Sequence, residues 1–344
     1  MNKQIQLHIR EWTTGITIRL AIVLLVPAIM LFSCNKDRSS EFIPDRNNPA
    51  NDTNWYARPA TNAAVFQLDT LFCSNTTFSD SVTVATGGIY RAGNGLEIFF
   101  PPNFCAPQSA PGGKVKVLIV YLKKKGDFVR YAKPTSSNDK LFTNTAGAFN
   151  IVVTYDDHPV ALAPGTSVQV RMPANISYPP AQVYSGDTGA DSYPGNFNWV
   201  AVTDNSIPLQ VFQQFDAGSN SWITGYQLQV KTLNWTAVAY PEDDITGKAK
   251  LSVLLPANYT NANTAVYAVF KMGKTVLRLK PDIYSKSFSA NIPKGSIVSV
   301  IAVSKIGTTL YWSQDDVLVT ASQIAKLKPQ AQTLPQIDDL LNGL

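Results

Sequence analysis

Between Lys114 and Lys123 apolar residues occupy both faces of a two-residue period. Val115, Val117, Ile119 and Tyr121 share one face, and Leu118, Val120 and Leu122 the other. Successive side chains of a strand point to opposite sides, so this segment is predicted to be a central strand covered on both. Simpler alternation surrounds it. Val65–Phe72 is read as a first strand and Leu96–Phe100 as another, ended by Pro101-Pro102. Phe149, Ile151, Val153 and Tyr155 alternate with smaller residues, as do Val168, Val170 and Met172, which Pro173 stops. Short strands broken by Gly, Pro and Asn predict an all-β chain built as antiparallel β-sandwiches.

After a Pro-, Gly-, Tyr- and Asp-rich stretch from Ala174 to Asn198, alternation returns at Trp199–Val202, Leu209–Phe215 and Trp222–Thr232. Asp216-Ala217-Gly218-Ser219-Asn220 reads as a hairpin turn. Further strands are expected at Ala249–Leu255, Ala265–Lys271, Val276–Leu279, Ser287–Ile292, Ile297–Ile306 and Thr308–Ser313. The end changes period. Ser322 is placed to cap a short helical turn, and Thr333 with Pro335 opens a helix over Pro335–Asn342. Ile337, Leu340, Leu341 and Leu344 would form its apolar face.

The N-terminus has a different character. Lys3, Arg10 and Arg19 precede an apolar run from Leu20 to Phe32, followed by Ser33 and Cys34. A basic region, an apolar stretch and a small residue before a cleavage point make a secretory signal peptide. The run is shorter than the roughly 20 residues a spanning helix needs, and Pro27 interrupts it. Leu31-Phe32-Ser33-Cys34 resembles the bacterial lipoprotein box, which implies a lipidated Cys34 as the mature N-terminus. Asn35-Lys36-Asp37 resembles the export signals of Bacteroidetes-type surface lipoproteins, although those usually carry two adjacent acids and Asp37 has none beside it. An outer-membrane location follows as an expectation, with the domain facing the surface or the periplasm. Divided accordingly, the chain has a signal peptide (1–33), a flexible tether (34–60), a first sandwich (61–175) and an irregular connection (176–198). A second sandwich (199–322) and a short helical tail (323–344) complete it.

Charge and cysteine content narrow the classes. The net charge of +5 falls to about +3 once Lys3, Arg10, Arg19 and Glu11 are removed, too weak and scattered for a nucleic-acid partner. Of the three cysteines, Cys34 would carry lipid. Cys73 and Cys105 remain as an even pair, expected in an oxidising compartment to form a disulfide closing a loop of about 30 residues. Two buried thiols are the alternative.

Gly95-Leu96-Glu97-Ile98-Phe99-Phe100-Pro101 followed by Gly113-Lys114-Val115-Lys116-Val117 is similar to the β-sandwich of ankyrins and netrin receptors. It is closer to domains of uncharacterised Bacteroidetes lipoproteins. Those continue with an Asp-containing strand, a Thr-Ser turn, a Lys-Leu pair and a glycine-hydrophobic segment. Here Gly126-Asp127, Thr135-Ser136, Lys140-Leu141 and Gly147-Ala148-Phe149 stand in those places. The likeness runs from about Gly87 to Pro173 and implies a sandwich that serves protein contacts. The self-cleavage of some relatives needs a His-Phe-Ser motif that this sequence lacks. Tyr226–Val230 leading to Leu233-Asn234-Trp235 resembles the entry to the second domain of the same lipoproteins, with Thr236-Ala237-Val238 where they often have Asn-Cys-Asp.

Chemical motifs are few. Asp187-Thr188-Gly189-Ala190 has the letters of an aspartic protease, but that chemistry needs two such aspartates sharing a proton, and no second copy occurs. After cleavage His158 is the remaining histidine, in Tyr155-Asp156-Asp157-His158-Pro159, and reads as a hairpin turn. One histidine cannot build a multi-histidine zinc site. Glu242-Asp243-Asp244, ahead of Gly247, is the best calcium candidate but lacks EF-hand spacing. Trp199, Trp222, Trp235 and Trp312 lie in strand patterns and are read as core; the alternative is an aromatic platform for sugars. No cofactor is expected. The functional expectation is a lipid-anchored, non-catalytic binding or scaffolding protein of the cell envelope, with the 174–198 stretch as contact loop or plain connection. Capture of glycans for a polysaccharide-utilisation system is the rival reading, and a hydrolase the third.

Overall fold

Most of the alternating segments become strands, and they do so in chain order. The structure, a computed structural model, describes residues 48–344 apart from 74–76, 93–94, 107–112, 138–139, 177–180, 188, 190–192, 205, 219 and 242–246. The signal peptide, Cys34 and the calcium candidate Glu242, Asp243 and Asp244 lie outside the described residues. Residues 52–344 form one compact unit.

In the first half, helix α1 (Ala64–Leu71) leads into β1 (Thr77–Thr83), β2 (Gly88–Arg91), β3 (Glu97–Phe100) and β4 (Lys114–Leu122). Helix α2 (Lys125–Arg130) is followed by β5 (Ser136–Ser137), the long β6 (Lys140–Tyr155), β7 (His158–Pro159) and β8 (Val168–Pro173). Then come β9 (Gln182–Asp187), β10 (Asn198–Ala201), β11 (Leu209–Asp216), β12 (Ser221–Val230) and β13 (Thr236–Pro241). The second half contains β14 (Lys248–Leu254), β15 (Thr264–Phe270), β16 (Val276–Arg278), β17 (Lys280–Asp282) and β18 (Ser287–Pro293). It ends with β19 (Ser296–Ile306), β20 (Thr309–Val319), β21 (Gln323–Lys326), β22 (Gln330–Gln332) and helix α3 (Leu334–Asn342).

Among the described residues these strands make four sheets, paired as two sandwiches. The first sandwich sets β1-β4-β6-β13-β9-β10 against β11-β12-β8-β3-β2. The second sets β16-β15-β19-β20-β22 against β17-β18-β14-β21. Three apolar layers follow from the two faces of the inner sheets. Val115, Val117, Ile119 and Tyr121 of β4 enter the first sandwich's core with Phe149, Val170 and Leu228. Val120 and Leu122, on the opposite face, join Phe142, Trp199, Tyr267, Ile301 and Trp312 in a middle layer built from both inner sheets. Val266, Ala268, Val298 and Val300 turn the other way, into the second sandwich's core. The central strand covered on both sides is therefore present as the period predicted, and its second cover is the other sandwich. Backbone bonds reinforce this junction: Thr135 N–H donates to the Val276 carbonyl at 2.7 Å, and Val276 N–H to Thr135 Oγ1 at 2.7 Å.

The helices close the edges of the middle layer. Val65, Phe66 and Leu68 of α1 and Ile337 and Leu341 of α3 are buried in it. Thr333 caps α3 as predicted: Gln336 N–H reaches its Oγ1, and the Gln336 side chain accepts from Thr333 N–H at 2.8 Å. This reciprocal pair is a capping box. Arg130, 2% exposed, ties α2 to α3. Its Nη2 donates to the Asp338 carbonyl and to Asn342 Oδ1, each at 2.9 Å, and it faces Asp127 at 3.3 Å and Asp338 at 3.4 Å. Gly126 permits the approach, because a Cβ there would overlap the Leu341 carbonyl oxygen.

Several expectations give way. Val65–Phe72 is helix rather than strand; Val65 N–H instead donates to the Ala262 carbonyl at 2.9 Å. Gly126-Asp127 also falls in a helix. The first sandwich does not end at 175. β9 arises inside the stretch expected to be irregular and pairs with β10 and β13, while β12 pairs with β8, so residues up to Pro241 belong to the first sandwich. The segment after Ser322 is strand β21, parallel to β14, so two strands precede the tail helix. The end of the tether is not slack either. The Trp55 ring packs tilted against Phe288, centroids 5.0 Å apart, and Tyr56 N–H donates to Asn261 Oδ1 at 3.1 Å.

Candidate functional site

The β11–β12 hairpin runs past the end of β8, whose Pro173 pairs with Gly225. Thr224 is still bonded to Ala174, and beyond it Gln214–Asp216 and Ser221–Ile223 continue as a two-stranded projection. Side chains opposite one another in an antiparallel pair share a face. Val211 lies opposite Tyr226, and Phe215 opposite Trp222. Tyr226 points into the first core, its hydroxyl 2.6 Å from that of Tyr240. Val211 shares that core-side face on the edge strand, and Phe215 and Trp222 carry it beyond the end of β8; the three are 61%, 47% and 62% exposed. The Phe215 and Trp222 rings meet edge to face at 5.4 Å. At the turn, Gly218 N–H donates to Asp216 Oδ1 at 3.1 Å, and Asn220 takes the left-handed conformation with φ 49°.

The reverse face of the hairpin is fastened by a polar ladder. Gln229 Nε2 donates to Gln169 Oε1 at 3.2 Å, Gln169 Nε2 to Gln227 Oε1 at 3.0 Å, and Arg171 Nε to the same oxygen at 2.8 Å. Arg171 also lies 5.0 Å from the Phe99 ring centroid and 5.8 Å from that of Phe212. The base of the hairpin is therefore fixed, and less ordering entropy is lost when its aromatic face is covered. β11 is an edge strand, paired with β12 alone among the described residues, so one side of its backbone can receive another strand.

A second constellation lies at the middle layer. Asp69 on α1, Lys133 after α2 and Arg278 on β16 converge there from three elements. Burial pushes the Asp69 carboxyl up to about 6, against the fields of Arg278 and Lys133. Burial lowers Lys133 to about 8, with Asp69 opposing the shift. Its ammonium lies 3.9 Å from the Phe197 ring centroid and 5.5 Å from that of Trp235. A cleft of about 530 Å³ opens beside the group, lined by Phe66, Ser136, Tyr193, Asn261 and Arg278 among others. Asp69 and Lys133 do not line it. Asp69 and Lys133 therefore sit at the junction behind the cleft wall, while Arg278 reaches both them and the cleft.

The sequence candidates are dispersed. Cys73 and Cys105 carry thiols and are not bridged to each other. Cys105 sits in the first core, whereas Cys73 follows α1 at the middle layer, and its carbonyl accepts from the Tyr131 hydroxyl at 2.7 Å. The predicted disulfide is thus corrected: the two thiols belong to different packing layers. Asp187 Oδ1 accepts from Gly189 N–H at 2.8 Å, as in an Asx turn. His158 is exposed at the two-residue turn Asp156-Asp157, both residues with positive φ. Trp199 and Trp312 are core as expected, and Trp235 is partly buried. Trp222 is the exception: expected in the core, it is 62% exposed. The alternation locates both strands and their turn, but not that Phe215 and Trp222 lie opposite one another beyond the end of β8.

The chain matches no known protein family and no curated protein.

Proposed function

We propose that this chain is a lipid-anchored, non-catalytic binding protein of the bacterial outer membrane, held by Cys34 and acting through the first sandwich. The observation that carries the reading is the projecting hairpin, with Val211, Phe215 and Trp222 exposed beside an open strand edge. Its partner is an extended segment of another protein, which adds as a strand along β11 and lays apolar side chains on Phe215 and Trp222. A sugar platform fits less well, since Trp199 and Trp312 are buried and Trp222 is the one exposed tryptophan among the described residues.

A photo-crosslinking residue placed at Trp222 in the full chain on intact cells tests this, with Tyr284, 95% exposed on the second sandwich, as the control position. A defined heterologous adduct from position 222, absent from 284 and lost on Phe215→Ala, is expected. Adducts indifferent to Phe215 would refute the reading, and one at twice the chain's mass would assign the edge to a second copy instead. Cys34→Ala should release the protein from membranes; retention would remove the anchor.

A further inference from the structure

The second sandwich carries a different surface, independent of the hairpin. On its outer sheet the even-numbered residues of β14 face outward, putting Lys248 and Lys250 on the side opposite buried Ala249 and Leu251. Register extends this face across the sheet: Lys250 lies opposite Asn291, and Ser252 opposite Ser289, which in turn lies opposite Lys280. Arg278, half-buried at the end of β16, borders the same region. Lys248, Lys250, Arg278, Lys280, Ser289 and Asn291, with Leu277 and Ala290, line a cleft of about 500 Å³. Among the described residues four cations and no acid line it. Asp282, whose carboxylate feels Lys250, is engaged elsewhere: its Oδ1 accepts from the N–H groups of Tyr284 and Ser285 at 3.1 and 3.2 Å.

We propose that this cleft binds an anionic polysaccharide, a chain bearing sulfate, phosphate or carboxylate groups at intervals. The spacing of the cations favours repeated anions over a single one. With about 3.4 Å per residue and about 4.8 Å per strand, Lys248, Lys250 and Lys280 are separated by roughly 7 to 17 Å at their Cα atoms. One small anion cannot neutralise them together, whereas a chain running across β14, β18 and β17 meets them in turn. The groups between the cations, Ser289 and Asn291, offer hydrogen bonds to hydroxyls. The cleft presents no aromatic ring on which nucleobases would stack, the usual device for single-stranded nucleic acid.

The test uses the purified full chain and dextran sulfate as probe, with neutral dextran, inorganic phosphate and a single-stranded oligonucleotide in parallel titrations. Dextran sulfate should bind, more weakly as salt rises, and neutral dextran should not. The double variant Lys248→Gln/Lys280→Gln should lose about two- to fivefold per cation removed, with an unchanged melting temperature. Lys286→Gln/Lys294→Gln, exposed lysines of the same sandwich outside the cleft lining, should bind as the parent does. Equal loss in both double variants would reduce the effect to net charge and overturn the site. Phosphate competing at the same concentration of anionic groups would overturn the spaced-anion argument. Tighter binding of the oligonucleotide would reassign the cleft to nucleic acid.

Discussion

Replacing Arg130 with Met isolates what holds the C-terminal helix in place, because the apolar stem is kept and the guanidinium is lost. Two hydrogen bonds of 2.9 Å disappear, to the Asp338 carbonyl and Asn342 Oδ1. The longer contacts to Asp127 and Asp338 go with them. Asp127 is the less affected acid, since its Oδ2 still accepts from the backbone N–H groups of Lys123 and Lys124 at 3.0 and 2.8 Å. Asp338 loses its counter-charge beside α2. A buried pair broken on one side costs about 3–5 kcal/mol, and the lower end applies because Asp127 stays solvated by the backbone. For a unit of this size about 3 kcal/mol lowers Tm by roughly 6 °C. Lys is expected to rescue little, as a single ammonium cannot reach four acceptors held in a planar fork. Differential scanning calorimetry gives the first reading and hydrogen exchange over Ile337–Asn342 the second. A Tm within 1 °C of the parent, with α3 amides equally protected, would refute the claim that Arg130 docks the helix.

Gly126→Ala should act on the same contact from the backbone side, costing about 1–3 kcal/mol through overpacking and raising exchange in α3 while leaving β4 protected. For Asp69, a folded pKa raised to about 6 means that the native state binds more protons than the unfolded chain between roughly pH 4 and 6. Its cost of about 3 kcal/mol is therefore full above pH 6 and is lost as the pH falls below about 4, so Asp69→Asn should raise Tm by roughly 6 °C at pH 7.5 and by roughly 2 °C at pH 4.5; a gain of equal size at both values contradicts the assignment. Burial pushes both Cys73 and Cys105 up to about 11, so iodoacetamide at pH 8 should modify these two thiols slowly in the native protein and fully in the denatured protein without reductant. A mass two units low under non-reducing conditions would show a bridge after all.

Much of the architecture was legible because strand periodicity is local. The double-faced run at Val115–Leu122 announced a buried central strand, and the Asp216–Asn220 turn announced the hairpin. What failed were statements that depend on distant partners. Ala64–Leu71 carries apolar residues at positions that suit either period, and its packing against the middle layer decides for helix. β9 is hidden among Pro, Gly and Tyr, since Gln182–Asp187 owes its conformation to β13, about fifty residues later in the chain. The boundary at 199 was misplaced for the same reason: alternation identifies strands but not the sheet they join. Counting cysteines suggested a pair where the layers keep the thiols apart. Asp69, Lys133 and Arg278 share no motif at all and meet only in the fold.

The docking of α3 against α2 links residues about two hundred positions apart, and the parallel pairing of β14 with β21 likewise awaits a late segment. Any process that handles the chain from its N-terminus onward, whether synthesis or translocation, leaves the middle layer unsealed until nearly the last residues have emerged. Until they arrive the middle layer lacks Ile337 and Leu341 and the second sandwich lacks β21 and β22, whereas every strand of the first sandwich is already present by Pro241.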